Sequence, residues 1–254
     1  MMSFEEIVKN KKHLIVLGCS FSTSKDDNLV EEGHTFGDVI ANYYDLKCIE
    51  LGISAGSNQY IQKSLFEWFG KPPQRFWNST FVVIAWTNPF RLMYWNNKKN
   101  EWFNDSSHIF QKVTDRFSSK NLIHDWSYKE RKKYVQNFLN NDYSTIRSYL
   151  EQVTCAQNFL NINDIPYIMF NSLYDIQKYL LDNQHDDNFY MWNNLVDMKY
   201  YYINEDYSIF KDMVQPDHQP EPNKDLWMSE NDSHPNKKAH KIWGDYLIEF
   251  IKEL

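Results

Sequence analysis

"HLIVLGCSFS", residues 13–22, carries an apolar run straight into a glycine, a cysteine and two serines. Leu14 to Leu17 show no polar alternation, the pattern of a short strand covered on both faces, as in a parallel sheet. A strand that ends in residues this small leaves its last backbone groups open to close approach. Working outward, "LKCIELG" (46–52) and "FVVIAW" (81–86) repeat the strand pattern, and "IPYIMF" (165–170) supplies a fourth. Between them the apolar residues fall at helical spacing: Phe36, Val39, Ile40, Tyr43 and Tyr44, then Tyr60, Ile61, Leu65, Phe66 and Phe69. The second stripe stops at Gly70 and the Pro72-Pro73 pair. Tyr143, Ile146, Leu150, Val153 and Leu160 form a third helical stripe, and Ala239 to Ile251 form an amphipathic final helix.

Strands alternating with helices predict an α/β fold, a three-layer α/β/α sandwich around a mostly parallel sheet. The chain of 254 residues reads as a single domain, 1–254, with two long insertions at about 93–138 and 173–230. Some helix is expected near 128–139 in the first. In open α/β sheets ligands sit beyond the carboxyl ends of the strands. Each strand here ends in small or polar residues: Gly18-Cys19-Ser20, Gly52-Ile53-Ser54, Thr87-Asn88 and Asn171-Ser172. One edge of one sheet is therefore the place to look for a site.

Net charge is -7, from 27 basic and 34 acidic residues, and the basic clusters "KNKKH" (9–13) and "KERKK" (129–133) are short. That composition argues against a nucleic-acid partner, which would be held through phosphate neutralisation. No apolar run approaches the ~20 residues of a membrane span, and the N-terminus lacks the pattern of a secretion signal. Three widely spaced cysteines, Cys19, Cys48 and Cys155, do not form a disulfide framework. A cytoplasmic or otherwise intracellular protein is expected. No cofactor is implied. "HDD" (185–187) and "DHQPE" (217–221) are too local to read as a metal site.

Ser20, directly after the first strand, is either a nucleophile or a cap on the next helix, although Ser22, Thr23 and Ser24 are also available for capping. Cys19 should point the other way and pack beneath the sheet end. A base for Ser20 must come from elsewhere, and "NDSHPNKKAHKIW" (231–243) offers His234 just before the final helix. Pro235 suits a first helical turn and would hold His234 in the loop above it. Asp232 and Asn231 are close enough to orient the imidazole and fix its tautomer. His240 reads as a packed or surface histidine. Donors for a developing oxyanion could come from an exposed N–H at Gly56 in "GISAGSN" (52–58) and from the side chain of Asn88 in "AWTNPFR" (85–91).

These segments, taken in order, resemble the blocks of the SGNH hydrolase superfamily, the GDSL-type esterases and lipases. "GCSFS" matches the first block, with Cys19 where the family has aspartate. "GISAGSN" matches the second, "AWTNP" the third with Pro89 after the asparagine, and "DSHPN" the last. The resemblance implies a flavodoxin-like topology, Ser20 as nucleophile and His234 as general base and acid. It also implies an oxyanion hole of Ser20, Gly56 and Asn88. The family's aspartate stands three residues before the histidine. Here that position is Asn231, and the carboxylate, Asp232, is two before.

The implied reaction is hydrolysis of a small-molecule or glycan acyl ester through a Ser20 acyl-enzyme, with a carbohydrate O-acyl ester preferred to a lipid. Trp86, Trp95, Trp102, Trp126 and Trp192 could wall a sugar or acyl chain, and Arg91 either binds an anionic group or forms a salt bridge. Two rivals stand beside this reading: an O-acyltransferase on the same fold, and a non-catalytic binding or structural module that retained it.

Overall fold

The computed structural model describes residues 2–24, 30–71, 74–96, 101–105, 142–203, 209–214, 223–230 and 232–254. In chain order these form α1 (Phe4–Lys9), β1 (His13–Leu17), α2 (Phe36–Tyr44), β2 (Lys47–Glu50), α3 (Asn58–Gly70) and β3 (Thr80–Trp86). A hairpin follows, β4 (Leu92–Asn96) with β5 (Glu101–Asp105), then α4 (Asp142–Ile162) and β6 (Tyr167–Asn171). The C-terminal part contains α5 (Ile176–Asp182), α6 (Asp187–Leu195), β7 (Tyr201–Tyr202), α7 (Phe210–Val214), β8 (Trp227–Ser229), β9 (Asp232–Pro235) and α8 (Lys237–Glu253).

Five strands make a parallel sheet in the order β2-β1-β3-β6-β7. Successive side chains alternate between its faces. Leu14, Val16, Phe81, Val83, Ala85, Ile168 and Phe170 pack under α2 and α8, while Ile15, Leu17, Val82, Ile84, Trp86, Tyr167 and Met169 pack under α3 and α4. Helices on both faces complete a three-layer α/β/α sandwich, the predicted class. The helices start where local chemistry lets them. Thr35 Oγ1 accepts the Asp38 N–H, and the Asp38 carboxylate accepts the Thr35 N–H, a reciprocal cap on α2. Among the described residues no helix is long and apolar enough to cross a membrane.

Two expectations change in detail. The excursion at 173–230 is not wholly an insertion beside the sheet, because β7 within it forms the fifth strand, parallel to β6. Pro235 closes a strand rather than opening the last helix. Asn236 is the N-cap of α8, its Oδ1 accepting the Ala239 N–H, and α8 begins at Lys237. The helix expected near 128–139 lies outside the described residues.

His240 lies on the buried face of α8, 1% exposed, between the rings of Phe36 and Phe210. Its Nδ1 accepts the N–H of Phe36 at the start of α2, locking the two helices together. Burial pushes its pKa down to about 3, so the folded protein keeps the ring neutral. The unfolded chain takes up that proton below about pH 6.5. His240 therefore adds stability above that pH and withdraws it as pH falls toward 3, at up to about 1.4 kcal/mol per pH unit. His240→Asn keeps an acceptor for Phe36 but cannot titrate. Urea unfolding at pH 7 and pH 5 should show a smaller acid loss for this variant than for the wild type; equal losses would assign the acid sensitivity elsewhere.

Candidate active site

The loops after β1, β2 and β3 meet at the carboxyl edge of the sheet, and glycine sets how closely. A Cβ at Gly18 would stand 2.0 Å from Ser22 Oγ, and one at Gly56 would stand 3.0 Å from the Gly18 carbonyl oxygen. What fits against Gly18, then, is the loop after β2. Ser20 begins a short 3₁₀ turn (Ser20–Ser22) and is 5% exposed. At the first position of such a turn its N–H has no partner within the turn. Cys19 points inward, fully buried, with Sγ 4.0 Å from Ser172 Oγ.

His234 arrives from the opposite end of the chain. Hydrogen bonds of the β8–β9 hairpin hold it, and Asn236 fastens that hairpin to α8 by donating to the carbonyls of Asp225 (2.8 Å) and Trp227 (2.9 Å). Nε2 of His234 lies 3.1 Å from Ser20 Oγ, and Nδ1 lies 2.6 Å from Asp232 Oδ1. The same Asp232 oxygen accepts the His234 backbone N–H at 3.0 Å. A two-residue spacing thus lets one carboxylate grip both the main chain and the ring of its histidine. Burial pushes the Asp232 pKa up, but the two hydrogen bonds and the charge of His234 outweigh it, leaving the carboxyl below its usual range. With the Nδ1 proton on the Asp232 side, Nε2 offers its lone pair to the Ser20 hydroxyl. Asn231 lies outside the described residues.

Phe21 completes this arrangement, and sequence reasoning overlooked it. Its ring lies 5.5 Å from that of His234 and is backed edge-on by Phe210 at 5.8 Å. The imidazole is thereby held from one side by an aromatic ring and from behind by a carboxylate. The signal was present in "GCSFS", where an apolar residue interrupts a polar loop.

The oxyanion expectation for Gly56 changes. The Gly56 N–H is not open: it donates to the Ile53 carbonyl at 3.1 Å, closing a turn in which Ala55 has φ 61°. A positive φ at the third turn position is a glycine conformation that costs another residue about 1 kcal/mol. Ala55→Gly should accordingly raise stability by about 0.5–1 kcal/mol in denaturant unfolding, and a loss would mean that the Ala55 methyl group packs to advantage. Asn88 Oδ1 accepts the Phe90 N–H at 2.9 Å, which leaves its Nδ2 without a partner among the described residues. The level of Asn88 is set by Asn58, whose side chain both accepts the Thr87 N–H (2.8 Å) and donates to the Thr87 carbonyl (3.1 Å). Asn58 is 3% exposed and is a second residue that sequence reasoning passed over.

Arg91 forms no salt bridge among the described residues; its Nη1 donates to the Gly56 carbonyl at 3.2 Å and ties the second loop to the third. Trp86 is not a substrate contact. Its parity on β3 sends it into the core with Val82 and Ile84, where it is fully buried, donates to Met169 Sδ at 3.4 Å and meets Tyr149 edge-on. Trp192 is likewise packed, 5% exposed against Tyr201. Trp126 lies outside the described residues. Asn171 turns inward to Tyr149 and Tyr201. Asp38, Cys48 and Glu50 have ligand atoms within 4.8 Å of one another. The two carboxylates are engaged with Thr23, Ser24 and Thr35, so they serve as loop anchors.

No family model and no curated protein matches the chain. Solved structures do match. One is the psychrotrophic esterase EstA from Pseudoalteromonas sp., at 12% identity and a TM-score of 0.51 over 96% of this chain and 98% of that one. A protein of the G-D-S-L lipolytic family from Desulfitobacterium hafniense DCB-2 matches at 10% identity and a TM-score of 0.49, over 94% and 99% of the two chains. A carbohydrate esterase matches at 14% and 0.46, over 96% of this chain and 66% of that one. At these identities the likeness is one of fold: the chain shares its three-layer α/β/α fold with the esterase.

Proposed function

On this fold, we propose that the chain hydrolyses an acyl ester through a covalent Ser20 intermediate, with His234 as general base and acid and Asp232 as its orienting carboxylate. The observation that carries the reading is the unbroken chain of contacts from Ser20 Oγ to His234 Nε2, 3.1 Å, and from Nδ1 to Asp232, 2.6 Å. A serine with no base is a poor nucleophile. Here the base is within hydrogen-bonding reach and its second nitrogen is held.

His234 Nε2 takes the hydroxyl proton as Ser20 Oγ bonds to the carbonyl carbon, and the π electrons move onto the carbonyl oxygen. That oxyanion is received by the Ser20 N–H and by Asn88 Nδ2; Gly56 serves through its close fit against Gly18 rather than as an open donor. Collapse expels the alkoxide, which takes the proton from His234. Water then attacks the acyl-enzyme with His234 again as base, releasing a carboxylic acid and restoring Ser20. Two donors instead of three imply a barrier higher by about 3 kcal/mol than a full oxyanion hole would give.

The intact proton path favours an enzyme over a non-catalytic module. A carbohydrate O-acyl ester remains the preferred substrate class. Acetate release from 4-nitrophenyl acetate and from O-acetylated sugars, followed with and without a sugar acceptor, tests the reading. Acid release that is unaffected by the acceptor supports hydrolysis. Acyl transfer that outruns acid release would replace the hydrolase reading with a transferase, and no turnover of either substrate class would contradict both.

A further inference from the structure

β3 reaches the site beyond the end of its neighbour. Its last pair with β1 is Ile84 with Leu17, where β1 stops. Alternate residues of a parallel strand bond to opposite neighbours, so Trp86 and Thr87 face different sides. The Trp86 carbonyl is held from the β6 side, accepting the Ser172 N–H at 2.7 Å and the Ser172 hydroxyl at 2.8 Å. On the other side β1 no longer runs beside Thr87, and the Asn58 side chain takes its place. Asn58 Oδ1 accepts the Thr87 N–H at 2.8 Å, and Nδ2 donates to the Thr87 carbonyl at 3.1 Å. Asn58 is the first residue of α3, 3% exposed, behind the N-cap Ser57. The start of a helix thus stands in for a strand. Asn88 follows directly. Its Oδ1 accepts the Phe90 N–H at 2.9 Å and its carbonyl accepts the Arg91 N–H at 3.1 Å, so the turn closes on it. Arg91 Nη1 returns to the Gly56 carbonyl, two residues before Asn58. The turn after β3 is tied twice to the segment that opens α3.

We propose that Asn58 is a positioning residue for the reaction: it holds Asn88 Nδ2 where the oxyanion forms, without touching the substrate. The inference rests on the esterase reading, with Asn88 as an oxyanion donor. Position matters because a donor stabilises the oxyanion only from about 2.7–3.1 Å. A misplacement of about 1 Å costs about 100-fold in rate. Two bonds to the backbone of one residue define both a distance and an orientation, where a single bond would leave a hinge. Capping α3 does not account for Asn58, since the Ser57 side chain already accepts the Tyr60 N–H. An interaction that acts only on the developing charge changes kcat and leaves KM alone.

A double-mutant cycle on 4-nitrophenyl acetate separates this role from a structural one. Asn88→Ala should lower kcat about 100-fold. Asn58→Ser, too short to reach both Thr87 groups, should lower kcat about 10- to 100-fold, with KM within about twofold and a cooperative thermal transition retained. Asn58→Ala should do the same. In the Asn88→Ala background each Asn58 substitution should cost less than about twofold more, because the donor it would displace is gone. An undiminished loss in that background, a loss carried by KM, an unchanged kcat, or variants without a cooperative transition would each overturn the proposal. Wild-type turnover that survives Asn88→Ala would overturn the oxyanion role of Asn88, and this proposal with it, while leaving the esterase standing. No turnover by the wild type would overturn the esterase reading itself.

Discussion

With Ser20 as the proposed nucleophile, Ser20→Ala should lower kcat/KM on an activated acyl ester by about 10⁴-fold or more, with little change in fold stability. The size follows from the role. Removing Oγ deletes the atom that forms the covalent bond, and the remaining N–H and Asn88 donors can only stabilise attack by water. Ser20 is a small side chain at 5% exposure, with its turn held by the Ser22 N–H to the Cys19 carbonyl, 2.9 Å. Alanine preserves that backbone bond, so thermal unfolding should remain near wild type while turnover disappears. A variant that keeps a tenth of its activity would place the nucleophile elsewhere.

His234→Ala should be as damaging as the loss of Ser20, because the two act as a unit, whereas Asp232→Ala should be about 10- to 100-fold less damaging. Asp232 does not touch the reacting atoms. In the proposed mechanism it holds the tautomer and offsets the charge that forms on the ring, and part of the positioning is shared with Phe21, whose ring lies against the imidazole. The Asp232 carboxyl lies below its usual pKa range, so it stays ionised into mild acid. The contribution it makes is therefore present above the ordinary carboxylate range and is withdrawn only as pH falls through its lowered value. Steady-state rates of the two variants, measured at one pH near neutrality, decide the order. Equal losses would mean that the two-residue spacing costs Asp232 nothing in its role.

The sheet was legible because its central strands are covered on both faces and hence read as unbroken apolar runs. β1, β3 and β6 stand within two residues of their expected positions. β7 was not legible. Tyr201–Tyr202 is a two-residue strand at the edge of the sheet, and no period can be read from two residues. The hairpin carrying His234 fails for a similar reason. Asp232–Pro235 pairs with Trp227–Ser229 through an irregular register, and nothing local separates it from a solvated turn. Ser20 and His234 are 214 positions apart, so only the order of the blocks suggested that they meet.

The misses at the site concern which way a side chain faces and where a group spends its hydrogen bond. Glycine at 56 suggested an exposed N–H, but Ala55 in a left-handed conformation closes the turn on it. Trp86 sits next to Thr87 and Asn88, yet its side of the strand faces the core. Asn58 opens α3 and also pins the end of β3 through two bonds to Thr87. Residue types mark which side chains have chemistry to offer, and the backbone decides which of them is free to offer it.

The most direct test of the central claim, that Ser20 is a nucleophile activated by His234, is labelling with a fluorophosphonate followed by intact-mass and peptide analysis. The expected result is a single adduct on Ser20, absent in Ser20→Ala and strongly slowed in His234→Ala. A folded protein that takes no label, or takes it on another residue, would contradict the account.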